Sequence, residues 1–569
     1  MSPGLRRTGA LLAVAVVAAC GSLPVTHGVH RVRSVAANAQ QDTNVRLIPP
    51  PPQPDDSPTA IVTGFLRAAA SDVDRARQYL VANASWQPAS PVRVYSDALT
   101  TTLVGTTQPT ATRVAGSTVR VTMTPVATLN PSGALVPTDG ATTTLTFTLT
   151  DLPGTGWRIL DPPPGVALSV SDLTSRAQIP LTYFAPTGDV TVRTPVLLDP
   201  GDDLATTAVD ALLASPPTGL RTYVPAGTAL NDVSVSSGTV VVDLTPSAVK
   251  VSPADLPKLG AQLAATLLPL EPDATAVRID VGGRPLEGSG RYTVDDVDSF
   301  DPDLSTPADQ PLIVDAQGAR VSALSSSTAA DTGPATPAAF SEDARKIAWV
   351  QDRRVVTAPV DAPTQVTPVT GIGSWLSLSW GRDGALWIVR GDGQSGGVFV
   401  VTPGSASATP VAVPRGVDGA VSELRVARDG VNATIVAGGV LSGVTIGVPD
   451  ATGPVLRSAV PIARALTKVL IATAPGRDGS LLAYGTFQGR RGLWRVATEI
   501  STQLLTSTVP VAPLRGPCVD ATVPTTLAAP GGDGTAPDLA ICGALLRTRD
   551  GDGTWSDAGA ADGVAWPGG

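Results

Sequence analysis

The sequence predicts a multidomain protein in which two α+β domains precede an all-β domain. With 569 residues, the chain is too long for one ordinary core, so several domains are expected. Its 57 glycines and 53 prolines, together with short runs of Val and Thr, favour turns and short strands over long helices. A short turn phrase built on an aspartate, Asp-Gly in three of its four copies, also returns every 40–49 residues in the C-terminal half, which indicates repeated β units.

The first 19 residues have the features of a secretory signal peptide. Arg6 and Arg7 precede an apolar run, residues 10–19, that is too short to span a bilayer as a mature helix. The run ends in "VAAC", which resembles the lipobox of bacterial lipoproteins. The resemblance implies that Cys20 receives a diacylglyceryl group and becomes the first residue of the mature chain. An incidental cysteine after a signal peptide is the alternative. Lipidation predicts an anchor in the cell membrane with the body on its extracytoplasmic side.

Residues 20–57 predict a tether, because they lack apolar periodicity and contain the polyproline stretch "IPPPPQPDD". Ser57 is placed to cap a helix with Pro58 at its first position, and residues 72–81 continue as a second helical piece. Several strand-like runs follow. This order predicts a small α+β domain over residues 58–178, of the cone-shaped kind seen in nuclear-transport-factor-like (NTF2-like) folds.

Residues 179–300 predict a second α+β domain. Strand-like runs lead into the helical segment "DDLATTAVDALLASP", "SSG" joins two alternating strands as a hairpin, and a second helix precedes the strand "AVRIDVGG". The series "AVDALLASP", "GLRTYVPAGTAL" and "VSVSSGTVVVDLTPS" resembles the GerMN domain of bacterial envelope proteins. That resemblance implies an extracytoplasmic interaction module and supplies no catalytic residue.

Residues 301–569 predict a β-propeller of five or six blades. Four similar turns are spaced by 40, 46 and 49 residues, and they contain Asp343, Asp383, Asp429 and Asp478. Asp-Gly suits a hairpin because Gly accepts a positive φ and the Asp carboxylate caps the turn. Alternation after the second turn predicts an inner strand over residues 385–389. The phrase is therefore interpreted as structural rather than catalytic.

The segment "PLIVDAQGARVSAL", residues 311–324, predicts strands that close the propeller by joining its two ends in the last blade. A lipobox, a Pro-rich tether, two α+β domains and a propeller, in this order, resemble the LpqB lipoproteins of actinobacteria. The resemblance implies an accessory protein of the MtrA–MtrB two-component system. In that family the lipoprotein contacts the extracellular domain of the sensor histidine kinase MtrB and modulates signalling tied to envelope homeostasis and division.

Two cysteines, Cys518 and Cys542, remain beyond Cys20. In an exported protein an even remaining pair predicts a disulfide, and two free buried thiols are the alternative.

Most motifs that suggest catalysis or metal binding fail on inspection, so no cofactor and no enzymatic activity are predicted. The two histidines, His27 and His30, both lie in the tether, which leaves the folded body without an imidazole for a catalytic triad. Ser247 to Lys250 matches Ser-x-x-Lys, but no Lys-Thr-Gly strand accompanies it. The run "DGDGTW" departs from a calcium loop and predicts a propeller hairpin. The acidic run "DDVDSFDPD", residues 295–303, is interpreted as a solvated linker, with weak calcium binding as the alternative.

The net charge of −9 predicts no nucleic-acid partner, because no basic stripe is present to neutralise phosphates. Protein contact is the favoured function. The first alternative is cell-wall glycan binding, with stacking on Trp375, Trp380 and Trp387, although core packing is the favoured interpretation of these side chains. A propeller hydrolase that uses carboxylates alone is a third hypothesis.

Overall fold

The computed structural model describes residues 49–88, 91–107, 115–138, 141–199, 203–214, 216–304, 310–316, 318–322, 324, 336–391, 397–405, 407–450, 453–462, 466–474, 480–497, 511–518, 523–530 and 536–568. The predicted signal peptide, Cys20 and most of the predicted tether lie outside these residues. Within them, no helix has the length and apolar character needed to cross a bilayer.

The N-terminal domain packs one helix against a six-stranded sheet. Helix α1 (Pro58–Ser71) begins as predicted, with the Ala60 N–H donating to the Ser57 hydroxyl at 3.2 Å. Helix α2 (Val73–Arg77) is shorter than the predicted 72–81, because Leu80 leaves the helical path and bridges to Ile159. The strands are β1 (Val92–Thr107), β2 (Gly116–Leu129), β3 (Leu135–Pro137), β4 (Thr143–Leu152), β5 (Gly156–Asp161) and β6 (Val166–Ser169), in the order β5-β4-β2-β1-β6 with β3 on β2.

The core of this domain lies between α1 and the sheet. Ile61 and Phe65 of α1 are buried against Phe147 of β4. The Trp86 ring meets Phe65 edge-on at 5.0 Å between ring centroids, and its indole N–H donates to the Gly165 carbonyl. A 3-10 turn (Ser171–Ser175) then leads to the next domain.

The middle domain combines a five-stranded sheet, two main helices and a separate hairpin, so the predicted α+β class is confirmed. Its elements are β7 (Ala177–Phe184), β8 (Thr191–Leu198), α3 (Leu204–Leu213), β9 (Leu230–Ser236), β10 (Thr239–Leu244), a 3-10 turn (Pro246–Lys250), α4 (Leu256–Leu267), β11 (Ala276–Val281), β12 (Arg284–Pro285), β13 (Arg291–Tyr292) and α5 (Val294–Asp298). The order is β12-β11-β10-β9 with β13 on β11, while β7 pairs with β8.

Two connections in this sheet follow from the sequence. Ser237 and Gly238 both have positive φ and join β9 to β10, which confirms the hairpin predicted at "SSG". Strands β10 and β11 are parallel, and α4 makes the crossover between them. The buried face of α4, including Leu259 and Leu263, therefore packs on the sheet.

The described part of the propeller contains six sheets. Blade 1 has β16 (Ala338–Phe340), β17 (Lys346–Gln351), β18 (Arg354–Pro359) and β19 (Thr367–Pro368); blade 2 has β20 (Trp375–Trp380), β21 (Leu386–Arg390), β22 (Gly397–Val401) and β23 (Thr409–Val411); blade 3 has β24 (Val421–Val426), β25 (Asn432–Ala437), β26 (Val440–Asp450) and β27 (Gly453–Pro461). Blade 4 has β28 (Leu466–Ala472), β29 (Ser480–Phe487), β30 (Arg490–Ala497) and β31 (Val511–Leu514); blade 5 has β32 (Thr526–Ala528), β33 (Asp538–Cys542), β34 (Leu545–Arg549) and β35 (Trp555–Ala560); blade 6 has β15 (Gly318–Val321), β14 (Leu312–Asp315) and β36 (Gly563–Ala565).

Six apolar clusters, one between each pair of neighbouring blades, hold the ring together. The first strand of each of blades 1 to 5 contacts the first strand of the next blade, and β36 contacts both β16 and β32. The predicted inner strand over residues 385–389 is wrong in position. Residues 386–389 belong to β21, the second strand of blade 2, and β20 occupies the inner position.

Blade 6 takes its strands from both ends of the domain, as the segment at 311–324 predicts. Leu312 pairs with Ala565 and Val314 pairs with Gly563. The first and last strands of the propeller are thus hydrogen-bonded neighbours, and this pairing closes the ring.

The repeated turns join the first two strands of their blades. The Asp383 carboxylate accepts from the Ala385 N–H at 3.0 Å, and the Asp429 carboxylate accepts from the Val431 N–H at 2.8 Å. Asp343 accepts from the Arg345 N–H in the same way. These contacts confirm a structural role for the three described turns, whereas Asp478 lies outside the described residues.

Candidate functional site: the two faces of the propeller

The turns between first and second strands form one face of the propeller, here called the Asp-Gly face. The residue before the turn aspartate is Glu342 in blade 1, Arg382 in blade 2 and Arg428 in blade 3. Arg382 pairs with Glu342 and with Asp189 of the middle domain. Arg428 pairs with Asp303 in the segment that enters the propeller. The turn does not fix the identity of the residue before its aspartate, and in this protein that residue contributes to contacts outside its own blade.

Arg382 connects the propeller to the β7–β8 hairpin of the middle domain. Its Nε lies 2.9 Å from Asp189 Oδ2, and its Nη1 forms an ion pair with Glu342. The same guanidinium donates to the Arg428 carbonyl at 3.3 Å. Next to this network, Val431 packs against Val190 and Val192. The hairpin loop is thus held by both ion pairs and apolar contact.

Arg428 is buried at the centre of the Asp-Gly face, with a relative exposure of 3%. Its Nη1 lies 3.3 Å from Asp303 Oδ1, and its Nη2 donates to the Ala529 carbonyl at 2.9 Å. Its Nε donates to the Pro567 carbonyl at 3.4 Å. One side chain therefore joins blade 3, blade 5, the C-terminal end and the segment that enters the propeller.

Burial shifts the pKa of both partners in this central ion pair. The pKa of Asp303 is raised to about 6, chiefly by desolvation. The attraction of Arg428 opposes this rise, and the carboxylates of Asp301 and Asp429 add to it. Desolvation also lowers the pKa of Arg428, against the attraction of Asp303. Each charge loses hydration on burial, so the pair contributes less stability than its short distance suggests.

The acidic run at 295–303 corrects the interpretation as a solvated linker. Asp295, Asp296 and Asp298 belong to α5, where Thr293 and Asp296 form a capping box. Asp301 and Asp303 are buried at the domain contact. Among the described residues, no cluster of three His, Cys, Asp or Glu side chains is placed to hold a metal ion.

The opposite face carries the turns between second and third strands and the connections that lead into each first strand. Alternate turns of an antiparallel sheet lie at opposite ends of its strands, so this face points away from the Asp-Gly face. Large apolar side chains are exposed here, with Ile372 at 58% and Leu376 at 45% relative exposure. Val440 and Leu545 are exposed at the corresponding turns of blades 3 and 5.

Two open cavities, of about 300 and 320 Å³, lie side by side between blades 1 and 2 and share Pro368. We call them together the inter-blade groove. The first cavity is lined by residues that include Trp375, Arg390 and Phe399. The second is lined by residues that include Arg354, Val366 and Ile372.

A strained turn positions the tryptophan of this groove. Asp352 and Arg353 have φ of 49° and 60° in the turn from β17 to β18, a geometry that favours Asn or Gly. The Arg353 carbonyl accepts from the Trp375 indole N–H at 3.0 Å and from the Gly373 N–H at 2.9 Å. A Cβ at residue 373 would lie 2.8 Å from the Trp375 ring, so glycine is required there. The Arg390 guanidinium lies over this ring at 5.6 Å from its centroid.

The structure separates the three tryptophans named for glycan stacking. Trp387 and Trp380 are buried, at 2% and 7% relative exposure, and belong to the apolar clusters on either side of blade 2. Trp375 is the one that lines the groove. Core packing therefore accounts for two of the three.

The structure also gives the positions of the other motifs that the sequence analysis identified. The Cys518 and Cys542 sulfurs are bonded at 2.03 Å, which links the connection before blade 5 to the end of β33. Ser247 and Lys250 lie in a 3-10 turn. "DGDGTW" forms the turn between β34 and β35, where Asp552 accepts from the Thr554 N–H at 2.9 Å. Cys20, His27 and His30 lie outside the described residues.

Comparison with known proteins adds the family. Residues 51–174 match the model of the lipoprotein LpqB N-terminal domain, and residues 312–514 match that of the lipoprotein LpqB β-propeller domain. The chain belongs to the LpqB lipoprotein family. Between these two matches, residues 180–287 match the model described as sporulation and spore germination, in line with the LpqB domain order.

Lipoprotein LpqB of Thermobifida fusca is 29% identical over 548 residues, covering 82% of this chain and 85% of the relative. Lipoprotein LpqB of Streptomyces coelicolor is 27% identical, with 76% and 78% of the two chains covered. The first GerMN domain of GerM from Bacillus subtilis covers 20% of this chain and 86% of its own at 22% identity, with a TM-score of 0.18 that is too low to add to the sequence match. None of the three matched domain families is named for an enzymatic activity. Its LpqB relatives are named lipoproteins, a name that implies a lipid-anchored envelope protein.

Proposed function

We propose that this protein is a non-enzymatic lipoprotein on the extracytoplasmic face of the cell membrane that binds the extracellular domain of the sensor kinase MtrB. Through that contact it modulates two-component signalling linked to envelope homeostasis and division. The family resemblance suggests the partner. Lipidation of Cys20 provides the anchor, and the tether carries the folded domains away from the bilayer.

The observation that carries the proposal is the difference between the two propeller faces. The Asp-Gly face is engaged by the middle domain through Arg382, and by the segment that enters the propeller through Arg428. The opposite face exposes apolar side chains such as Ile372 and Leu376. Exposed apolar patches rimmed by polar groups mark protein-contact surfaces.

Cell-wall glycan binding is the second candidate, and Trp375 is the observation that favours it. Aromatic rings in open grooves stack on sugar rings, and Trp375 lines an open cavity. Arg390 occupies a position over the same ring, which reduces the area available for a sugar.

One binding experiment separates the two functions. The full chain without its signal peptide is immobilised and presented with purified MtrB ectodomain and, separately, with purified peptidoglycan. We expect saturable binding of the ectodomain and background retention of peptidoglycan. Retention of peptidoglycan with no ectodomain binding would instead establish the glycan function.

A further inference from the structure

The inter-blade groove combines apolar walls with positive charge on a protein whose net charge is −9. Ile372 and Trp375 supply apolar surface, and Arg354 and Arg390 line the two cavities. Arg353 is exposed in the adjoining turn, and Asp352 is the acid among the described lining residues. The local charge is therefore positive, which selects an anionic occupant.

The shape of the groove indicates how that occupant is held. The two cavities follow one another across Pro368, so a ligand that fills both is elongated. Strand β19 forms the outer edge of blade 1 but has two residues, and Pro368 has no N–H to donate. Strand addition at this edge is therefore unfavourable, and recognition depends on side chains that enter the two cavities.

The positive charge of the arginines would also attract an anionic polysaccharide or a lipid surface. Neither ligand suits the apolar part of the groove. Ile372 has 58% of its surface exposed, and burying it is favourable when the ligand itself supplies apolar atoms. A flat membrane surface reaches protruding groups, whereas Trp375 and Phe399 line a cavity. A peptide that alternates carboxylates with apolar side chains satisfies both requirements.

We propose that the inter-blade groove binds an extended acidic segment, bearing at least one apolar side chain, of the partner protein. A carboxylate of that segment pairs with Arg354, and the apolar side chain packs against Ile372 and Trp375. This assignment rests on the proposed function, because it names the surface used for the same partner.

Two groove variants and two matched controls test the assignment with the full chain and purified MtrB ectodomain. The groove variants are Arg354→Glu and Ile372→Asp. The controls are Arg284→Glu and Val249→Asp, which make the same changes at exposed residues of the middle domain. Affinity and rate constants are measured at low and at physiological salt, and thermal unfolding verifies that each variant is folded.

We expect each groove variant to weaken ectodomain binding about tenfold or more, and the controls to bind as the wild type does. Arg354→Glu should mainly slow association and reduce its salt dependence, since peripheral charges act on encounter. Ile372→Asp should mainly speed dissociation.

Three other outcomes are possible, and each contradicts a different part of the proposal. Wild-type binding that both groove variants retain would overturn the groove assignment and leave the proposed function standing. Absence of wild-type binding to the ectodomain would overturn both. Groove-dependent binding to purified cell wall, or to vesicles containing anionic lipid, would overturn the protein segment as the occupant.

Discussion

Gly384 and Gly430 occupy the same position in successive Asp-Gly turns, with φ of +78° and +71°, but their surroundings differ. A Cβ at residue 384 would lie 3.5 Å from Pro403, whereas one at residue 430 would lie 2.8 Å from the Arg382 Cβ. We expect Gly384→Val to reduce the free energy of unfolding by about 1–2 kcal/mol, because a β-branched residue resists positive φ. Gly430→Val should cost more, since it also displaces Arg382. Denaturant titration measures both losses.

The turn of blade 1 supplies a control substitution that should change the free energy of unfolding in the opposite direction. Ala344 has a φ of 54° at the position where the other two turns have glycine. Ala344→Gly should therefore raise the free energy of unfolding, by about 0.5 kcal/mol, because relief of left-handed strain exceeds the entropy that glycine adds to the unfolded chain. Unchanged stability on substitution at Gly384 and Gly430, with no gain at Ala344, would mean that turn geometry does not limit stability. Gly479 lies outside the described residues, and the same loss is predicted there.

At the scale of an element, the link between Cys518 and Cys542 joins the loop before blade 5 to the end of β33. It closes a loop with a sequence separation of 24. On the chain-entropy model, Cys518→Ser should reduce the free energy of unfolding by about 3 kcal/mol. Peptide mapping without reductant should recover the two cysteines as one linked pair, and ready alkylation of both in the native, unreduced protein would contradict the assignment.

The elements differ in how well the sequence predicts them, and the difference is physical. The Asp-Gly turns and the hairpin at Ser237 and Gly238 are predictable, because local backbone geometry decides them. The end of α2 is not, because Leu80 leaves the helix to bridge a strand distant in the sequence. The sequence also does not predict the turn in which Arg353 has a positive φ, because that conformation favours Asn or Gly over Arg.

The domain contact depends on a position that a repeat search treats as variable. Glu342, Arg382 and Arg428 precede equivalent turn aspartates, yet one of them is an acid and two are bases. Their role depends on Asp189 and Asp303, which lie far away in the sequence. A comparison of the residues that precede each turn aspartate would have shown that this position is charged. It would not have identified the partners of those charges.

At the scale of the whole molecule, the Asp303–Arg428 pair makes stability sensitive to pH where the chain enters the propeller. The pKa of Asp303 is about 6 in the folded protein, above the value of about 3.9 expected after unfolding. The folded state therefore binds the proton more tightly. This contribution to stability is fully present below about pH 4 and is lost as the pH rises through 6.

The Asp303→Asn variant isolates that contribution. We expect the stability of the wild type relative to this variant to fall by on the order of 2 kcal/mol between pH 4 and pH 7. Asp361→Asn, at an exposed carboxylate of blade 1, controls for the loss of one negative charge. A wild-type advantage that grows with pH would mean that attraction to Arg428 outweighs the desolvation of Asp303.

Attachment of the whole molecule to the membrane is predicted to depend on Cys20. Cys20→Ala should prevent lipid attachment, leaving the protein either released or held by its uncut signal peptide. Membrane fractionation and intact-mass measurement distinguish these states from the wild type, and Cys518→Ser is a control that should retain the lipid. Unchanged membrane partitioning, with cleavage at another position, would refute lipidation at this residue.

Closure of the propeller by β14 and β36 places a condition on how the protein is made. Leu312 and its partner Ala565 are about 250 positions apart, so an exported chain must emerge as far as residues 563–565 before blade 6 can form. Until then the apolar flanks of blades 1 and 5 lack their neighbour, and the chain is an open arc exposed to proteases. A product that ends before residue 563 never leaves that state. The fold thus discriminates against incomplete synthesis, because residues 564–566 complete the apolar clusters on both sides of blade 6.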